Sequence, residues 1–409
     1  MLEKFLERLG ADQRGQRNPL LIQVLPFAGS LIESGYAATT IQSKLGLIVE
    51  LGQWLGRRGL AVKDLDERRI EAFIIGRRRR GDRTTVRQLL DHLREHNVVQ
   101  RVTPTRDISP LAAILDRYEK HLRSERGLTT ATIINYLPFA RKFLADRFGE
   151  GPFLLKVVRP SDISGFILRH ARTMSCRRAQ LMTTAFRSFF RFLFQRGELQ
   201  VDLAPSIPTV AAWRLSTLPR YITAEEVTRV LGSCDRRTAT GRRDYAVLLL
   251  LARLGLRAGE IVAMQPDDID WRSGEILVRG KGLLYDRMPL PVDVGQALAV
   301  YLRHDRPSSK TRRVFVCRKA PQRGFSGPST VSTIVRRALD RAGLHPGFKG
   351  AHVLRHSLAT SMIRSGASMA EIGEILRHRS PSTTEIYAKL DFEGLRLLAQ
   401  PWPSLGGAR

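Results

Sequence analysis

Two proline-marked breaks constrain the fold of this chain more than any other feature. Val102-Thr103-Pro104-Thr105 and, further on, Leu203-Ala204-Pro205 with Ile207-Pro208 interrupt patterns that are otherwise helical. Proline lacks the amide donor and pushes the preceding residue out of the helical region, so helices end at such points. The 409 residues therefore divide into three blocks, at 1–103, 108–203 and 220–409. Each is long enough to close a core of its own.

The second block is helical by its apolar spacing. Its clearest helix is expected over Ala179–Gln195, with Leu181, Ala185, Phe186, Phe189, Phe190 and Leu193 on one stripe. Arg187, Arg191 and Arg196 fall off that stripe, and Gly197 follows as a stop. The first block carries a similar pattern. Tyr36-Ala37-Ala38-Thr39-Thr40-Ile41 matches Leu128-Thr129-Thr130-Ala131-Thr132-Ile133. Ile70, Phe73 and Ile74 match Ile163, Phe166 and Ile167, and Val86, Leu89, Leu90 and Leu93 match Phe186, Phe189, Phe190 and Leu193. A degenerate duplication predicts this agreement; two amphipathic helical domains sharing a pattern by necessity would give it too.

Charge indicates the partner. Lys and Arg number 67 against 39 Asp and Glu, a net charge of +28, and only 11 of the 67 are Lys. A polyanion such as double-stranded DNA suits that balance through counterion release, and guanidinium suits it through bidentate phosphate contact. The cationic run Arg77-Arg78-Arg79-Arg80 in the first block, and Arg187 and Arg191 in the second, are the candidate backbone contacts. Such a run is equally the mark of a solvated loop. No apolar stretch approaches the length that spans a bilayer, and the amphipathic start Met1-Leu2-Glu3-Lys4-Phe5 lacks the core of a signal peptide. A cytoplasmic, nucleoid-associated protein is expected.

Cys176, Cys234 and Cys317 form no C-x-x-C and read as small core residues rather than zinc ligands or a disulfide framework. Gly280-Lys281-Gly282 lacks the flanks of a phosphate-binding P-loop, and no zinc-protease or paired-carboxylate motif occurs. No metal and no cofactor is expected.

The third block holds the chemistry. Helices are expected from a Thr223 cap with Glu225-Glu226, over Asp244–Arg253, Ala258–Met264, Ser329–Ala342, His352–Gly366 and Met369–Arg377. Strands are expected over Glu275–Arg279 and Asp286–Pro291, so the fold class is mainly α with a small antiparallel sheet. Six side chains follow one another, each in a local pattern: Arg257 in Leu254-Gly255-Leu256-Arg257, Lys281 in the hairpin connection, His352 and Arg355 three apart on one helix face, His378 after Leu376-Arg377, and Tyr387 after Thr384-Glu385-Ile386. Tyr285 and Tyr301 lack such surroundings, and His356, one residue past Arg355, is expected to face the core. Cations and imidazoles around one phenol are what metal-free cleavage of a DNA phosphodiester needs: charge neutralisation on the non-bridging oxygens and a nucleophile.

Residues 221–398 closely resemble the catalytic domain of the tyrosine recombinases, the phage integrase family, and 108–203 resembles the core-binding domain that precedes it. The family usually has glycine where Arg377 stands, which puts the turn before His378 in question. The resemblance implies that Tyr387 forms a 3′-phosphotyrosyl link and that Arg257 and Arg355 hold the non-bridging oxygens. It implies that His352 and His378 donate hydrogen bonds, with His352 a candidate to move the phenol proton, and that Lys281 protonates the departing 5′ oxygen. It implies a tetramer on paired DNA sites, with other recombinases of the same element as accessory partners. It also implies a tail that docks on a neighbour, here around Gly394–Ala399 and Pro401-Trp402-Pro403. A relaxing enzyme of the type IB topoisomerase kind and an inactive DNA-binding regulator are the alternatives. The extra N-terminal block favours integration or transposition as the task.

Overall fold

The computed structural model describes residues 18–390 other than 78, 80, 101–108, 150, 152, 212–218 and 281–284, together with residue 396. The first proline-marked break, Lys281, Arg78, Arg80 and all of the C-terminal tail but one residue thus lie outside the described residues. By its internal contacts the chain forms two units: Val102–Ser216, and Met1–Arg101 together with Thr217–Arg409.

The unit Val102–Ser216 contains α5 (Pro110–Lys120), α6 (Thr130–Phe148), α7 (Pro160–Ala171) and α8 (Cys176–Gln195). Its core is aromatic: Phe143 meets Phe166, Phe186 and Phe190 edge-on, with centroids 5.5, 5.7 and 5.4 Å apart. The T-shaped geometry sets ring edges against ring faces and adds to the burial term. Helix α8 begins one turn before the expected Ala179, because the Ser175 hydroxyl accepts the amide of Arg178 and caps it there. It ends as expected at Gly197, whose φ is +71°. Cys176 is exposed at the start of this helix, against the expectation of a core residue, whereas Cys234 in the other unit is buried.

In the other unit, the N-terminal part holds α1 (Leu21–Glu33), α2 (Ala38–Arg57), α3 (Glu67–Ile74) and α4 (Asp82–Glu95) around Leu45, Ile48, Leu51, Ile70, Val86 and Leu89. Its element order is that of α5–α8. In both, one 3₁₀ turn separates the second helix from the third, and the first helix touches the second, the second the fourth and the third the fourth. The corresponding sequence triplets and quartets are all buried in both.

The C-terminal part of this unit is built on α10 (Ala239–Arg253), preceded by α9 (Ala224–Gly232). Helix α9 is capped as expected: the Thr223 hydroxyl accepts the Glu226 amide, and the Glu226 carboxylate accepts the Thr223 amide. Residues 246–252 of α10 are all buried, as befits a helix that is apolar on every side. After α11 (Ala258–Ala263) come β1 (Ile269–Asp270), β2 (Glu275–Arg279) and β3 (Tyr285–Pro289), paired antiparallel in that order. Ile276 lies opposite Met288 and Arg279 opposite Tyr285. Ile276, Val278 and Met288 therefore share the buried face, on the core of α10. Helices α12 (Val292–Val300), α13 (Pro328–Arg341), α14 (His352–Arg364), α15 (Met369–Ile375) and α16 (Pro381–Thr384) follow. The chain then tightens into a 3₁₀ segment, Glu385–Leu390, so Tyr387 rides on a 3₁₀ turn. Within this unit the N-terminal part meets the C-terminal part where the Gln322 amide donates to the Ser34 carbonyl at 2.8 Å and Lys310 pairs with Glu33 at 2.7 Å.

Candidate active site

Arg257 stands between α10 and α11, in a turn that needs glycine two residues earlier. Gly255 has φ +56°, and a Cβ there would stand 2.7 Å from Leu376 and 3.1 Å from Leu358. The buried Gly255 carbonyl accepts from the guanidinium of Arg355 on α14. Arg355 also donates to the carbonyl of Leu376, at the end of α15. One buried guanidinium thus ties the α10–α11 turn to the α15 terminus. Burial, with the cations of Arg257 and Arg377 nearby, pushes its pKa down to about 10, so it stays charged at neutral pH.

Arg257 is held by Glu260. The Arg257 amide donates to Oε2 at 2.8 Å, its Nη1 to Oε1 at 2.7 Å, and its Nη2 to the carbonyl of Arg377 at 3.1 Å. Burial pushes the Glu260 carboxyl up, but the Arg257 amide and the Arg377 and Arg257 cations outweigh it and hold the group below its ordinary value.

Arg377 resolves the question raised by the missing glycine. Its φ is +54°, one of only two positive values at non-glycine residues among those described. The His378 amide closes the helix end onto the Gly373 carbonyl at 2.8 Å. The left-handed turn that ends α15 is therefore formed without glycine. His378 emerges from it with Nδ1 2.8 Å from the Thr384 hydroxyl and its ring parallel to that of Tyr387, at 6.4 Å. Burial and the cations of Arg355, Arg257 and Arg377 push its pKa down to about 4.

Tyr387 is 1% exposed, packed with Ala359, Ile363, Ile372, Leu376 and Leu390. Burial pushes its phenol up to about 12, against the pull of Arg355. Its hydroxyl meets His356, whose Nδ1 lies 2.7 Å away. His356 was expected to face the core and to lie outside the site; it is instead the hydrogen-bond partner of the phenol. Burial, with His352 and Arg355 nearby, pushes it down to about 4, so the ring is neutral at neutral pH. His352 is exposed one turn earlier on α14, with its ring 6.2 Å from that of His356. The spacing of four residues held this signal: two histidines at i and i+4 share a helix face.

Arg257, Arg355, His378 and Tyr387 are thus gathered by the α10–α11 turn, α14, the α15 terminus and the 3₁₀ segment Glu385–Leu390. His352 stands at the edge, linked through His356. Lys281 lies outside the described residues. Among the described residues no three His, Cys, Asp or Glu side chains cluster as metal ligands would.

The candidate DNA contacts divide. The Arg77 guanidinium pairs with Glu50 at 2.8 Å and covers the Phe73 ring at 4.6 Å. Arg187 donates to the carbonyls of Ile207 and Pro208 and to the Thr209 hydroxyl, at 3.0, 3.1 and 3.2 Å. Both are engaged within their own parts of the fold. Arg79 and Arg191 are exposed, and Arg78 and Arg80 lie outside the described residues.

The phage integrase family model matches residues 220–393. A Sinorhizobium fredii protein named as an integrase/recombinase, y4rA, is 43% identical over 406 residues, covering 98% of this chain and 99% of that protein. The tyrosine recombinase XerA of Thermococcus onnurineus is 30% identical over 284 residues, covering 69% of this chain and 93% of that protein. The solved structure of the XerH site-specific recombinase in a post-cleavage complex with palindromic difH substrate matches with a TM-score of 0.57 at 22% identity, over 71% of this chain and 85% of that one. A lambda integrase dimer bound to a COC′ core site matches with a TM-score of 0.51 at 20% identity, over 72% of this chain and 98% of that one. At such identities the two structures speak for the fold. The sequence matches reach further: the chain belongs to the phage integrase family of tyrosine recombinases.

Proposed function

We propose that this chain is a site-specific DNA recombinase or integrase that cleaves and rejoins DNA through Tyr387. The Tyr387 oxygen attacks the scissile phosphorus, the bond to the 5′ oxygen breaks, and a 3′-phosphotyrosyl ester forms. The phenol proton passes to Nδ1 of His356. The 5′ oxygen takes its proton from Lys281, the role that the family resemblance gives it. Arg257 and Arg355 neutralise the charge that grows on the non-bridging oxygens, and His378 donates to one of them. The ester conserves the energy of the broken bond, so a 5′ hydroxyl from a second duplex reverses the step without ATP. The observation that carries this reading is the contact of a neutral imidazole with a buried phenol, beside two arginines anchored to the same turn.

The XerH and lambda integrase structures are DNA complexes by name, and another is a lambda integrase tetramer bound to a Holliday junction. This supports duplex DNA as the partner and a tetramer on paired sites as the working assembly, acting at the nucleoid with other recombinases of its element as accessory partners. The first block is a degenerate duplicate of the core-binding domain, a reading supported by the shared order and contacts of α1–α4 and α5–α8. The y4rA match spans this block too, which supports the use of the whole chain in integration or transposition.

The test is a duplex nicked just past the cleavage point, which traps the covalent product. Wild-type protein should give an adduct mapping to Tyr387, in excess EDTA as in its absence, and Tyr387→Phe should bind DNA and give none. An adduct formed by Tyr387→Phe, or activity that EDTA abolishes and Mg²⁺ restores, contradicts the reading.

A further inference from the structure

A residue with a Cβ is disfavoured at φ +54°, and glycine is the ordinary occupant of such a helix end. Arg377 holds that conformation and turns its guanidinium inward, where the side chain is 5% exposed. Its Nη2 lies 2.9 Å from Oε2 of Glu260, whose side chain is equally buried. Its Nη1 donates to the Ile375 carbonyl at 3.1 Å and lies against the sulfur of Met288 on β3. Its Nε has no hydrogen-bond partner. An unfavourable backbone and a partly unsatisfied buried cation are hard to explain as stabilising packing.

The geometry around Glu260 supplies a reason. Its carboxylate is divided: Oε1 takes the Arg257 guanidinium, while Oε2 takes the Arg257 amide and the Arg377 guanidinium. The Arg377 carbonyl takes the other end of the Arg257 guanidinium. Arg257 is therefore gripped on both sides by groups that Arg377 supplies or controls. We propose that Arg377 is a positioning residue: it fixes the Arg257 guanidinium and shares the charge of Glu260, so that Arg257 keeps its positive field for the scissile phosphate. This rests on the reading of Arg257 given above. Without the Arg377 cation, the buried carboxylate pairs with Arg257 alone and draws it from the phosphate.

The test compares Arg257→Ala, Arg377→Gly and Arg377→Lys with wild type in single-turnover cleavage of the nicked duplex. Glycine suits the left-handed turn, so Arg377→Gly retains the backbone. Its binding to uncleaved DNA should stay near wild type, while its cleavage slows on the order of tenfold to a hundredfold, as a small misplacement of a reacting group does. Arg377→Lys, which keeps a cation for Glu260, should recover part of the loss. The discriminating substrates are the two methylphosphonate diastereomers, each lacking the charge of one non-bridging oxygen. The diastereomer that relieves the Arg257→Ala defect should also relieve that of Arg377→Gly, because both defects lie at that oxygen. Relief of Arg257→Ala with none for Arg377→Gly, or wild-type cleavage by Arg377→Gly, overturns the proposal alone. No adduct from wild type, or no relief of Arg257→Ala by either diastereomer, overturns the underlying reading and the proposal with it.

Discussion

The Nδ1 atom of His356 lies 2.7 Å from the hydroxyl oxygen of Tyr387. The phenol thus has an imidazole in hydrogen-bond contact before any DNA arrives, and it is not the histidine that precedes Arg355 by three residues. A neutral ring with its proton on Nε2 accepts the phenol O–H, which is the posture of a general base.

Replacing that ring tests the assignment. His356→Phe keeps the bulk and removes the acceptor, and should slow adduct formation on the order of 10²-fold, the usual contribution of a positioned base. DNA affinity should hold. If His352→Phe shows that loss and His356→Phe shows none, the phenol proton leaves by the outer histidine.

The pH profile follows from the same groups. The second-order rate constant for adduct formation reports the free protein. It should rise as pH passes about 4, where His356 loses its proton. A lower limb near the ordinary imidazole value of 6.5 would assign the proton transfer to another histidine.

Stability should respond to acid in a neighbouring window. His356 and His378 bind protons near pH 6.5 when unfolded and near 4 when folded. Between those values the unfolded chain holds more protons, so stability rises with pH. It is fully present above about 6.5 and is lost as pH falls toward 4. The Tm should drop over this interval, and His356→Phe should shrink the drop; an unchanged drop would place the linkage elsewhere.

Arg257 and Arg355 should separate in their structural roles. Each alanine variant should cost on the order of 10²–10³ in cleavage rate by removing a cation from the developing charge. Arg355→Ala should also destabilise the fold, because it leaves the carbonyls of Gly255 and Leu376 without their buried donor, at about 1–3 kcal/mol for such a group. The Arg257 side chain is 39% exposed but donates to the buried Glu260 carboxylate and to the Arg377 carbonyl. Arg257→Ala should therefore lower Tm as well, by less than Arg355→Ala because Glu260 keeps the Arg377 guanidinium. Equal Tm losses in the two variants would contradict this division.

What the sequence discloses follows from how local each determinant is. The Phe stripe of α8, the Thr223 cap and the β2 strand depend on spacing within a few residues, and the structure carries them with small shifts at the ends. β1 has two residues and exists only through its pairing with β2, so no periodicity announces it. Ser380-Pro381-Ser382-Thr383-Thr384 predict the cap of an ordinary helix under Tyr387, but the helix lasts only over Pro381–Thr384 and Tyr387 rides on the 3₁₀ segment that follows. The contact of His356 is not legible in sequence, because a residue's direction depends on what packs against its helix, here the segment that carries Tyr387. The absence of glycine at 377 is visible in sequence, but the burial of its guanidinium against Glu260, 117 residues away, comes only from the tertiary fold.

Lys281 gives the sharpest test of roles. Lys281 lies outside the described residues, while β3 is fastened to the His378 turn by Arg379, which donates to Asp286 at 2.9 and 3.0 Å. If Lys281 protonates the 5′ oxygen, Lys281→Ala should be slow on a normal phosphodiester, on the order of 10²–10⁴-fold as for loss of a general acid. A substrate with sulfur at the 5′ bridging position needs little protonation, because a thiolate leaves far more readily than an alkoxide. Lys281→Ala should therefore recover on the sulfur substrate. Arg257→Ala should not, since its defect lies on the non-bridging oxygens, which the sulfur leaves untouched. Equal slowness of Lys281→Ala on both substrates would mean that another residue protonates the leaving oxygen, with His352, exposed at the edge of the site, the first to replace.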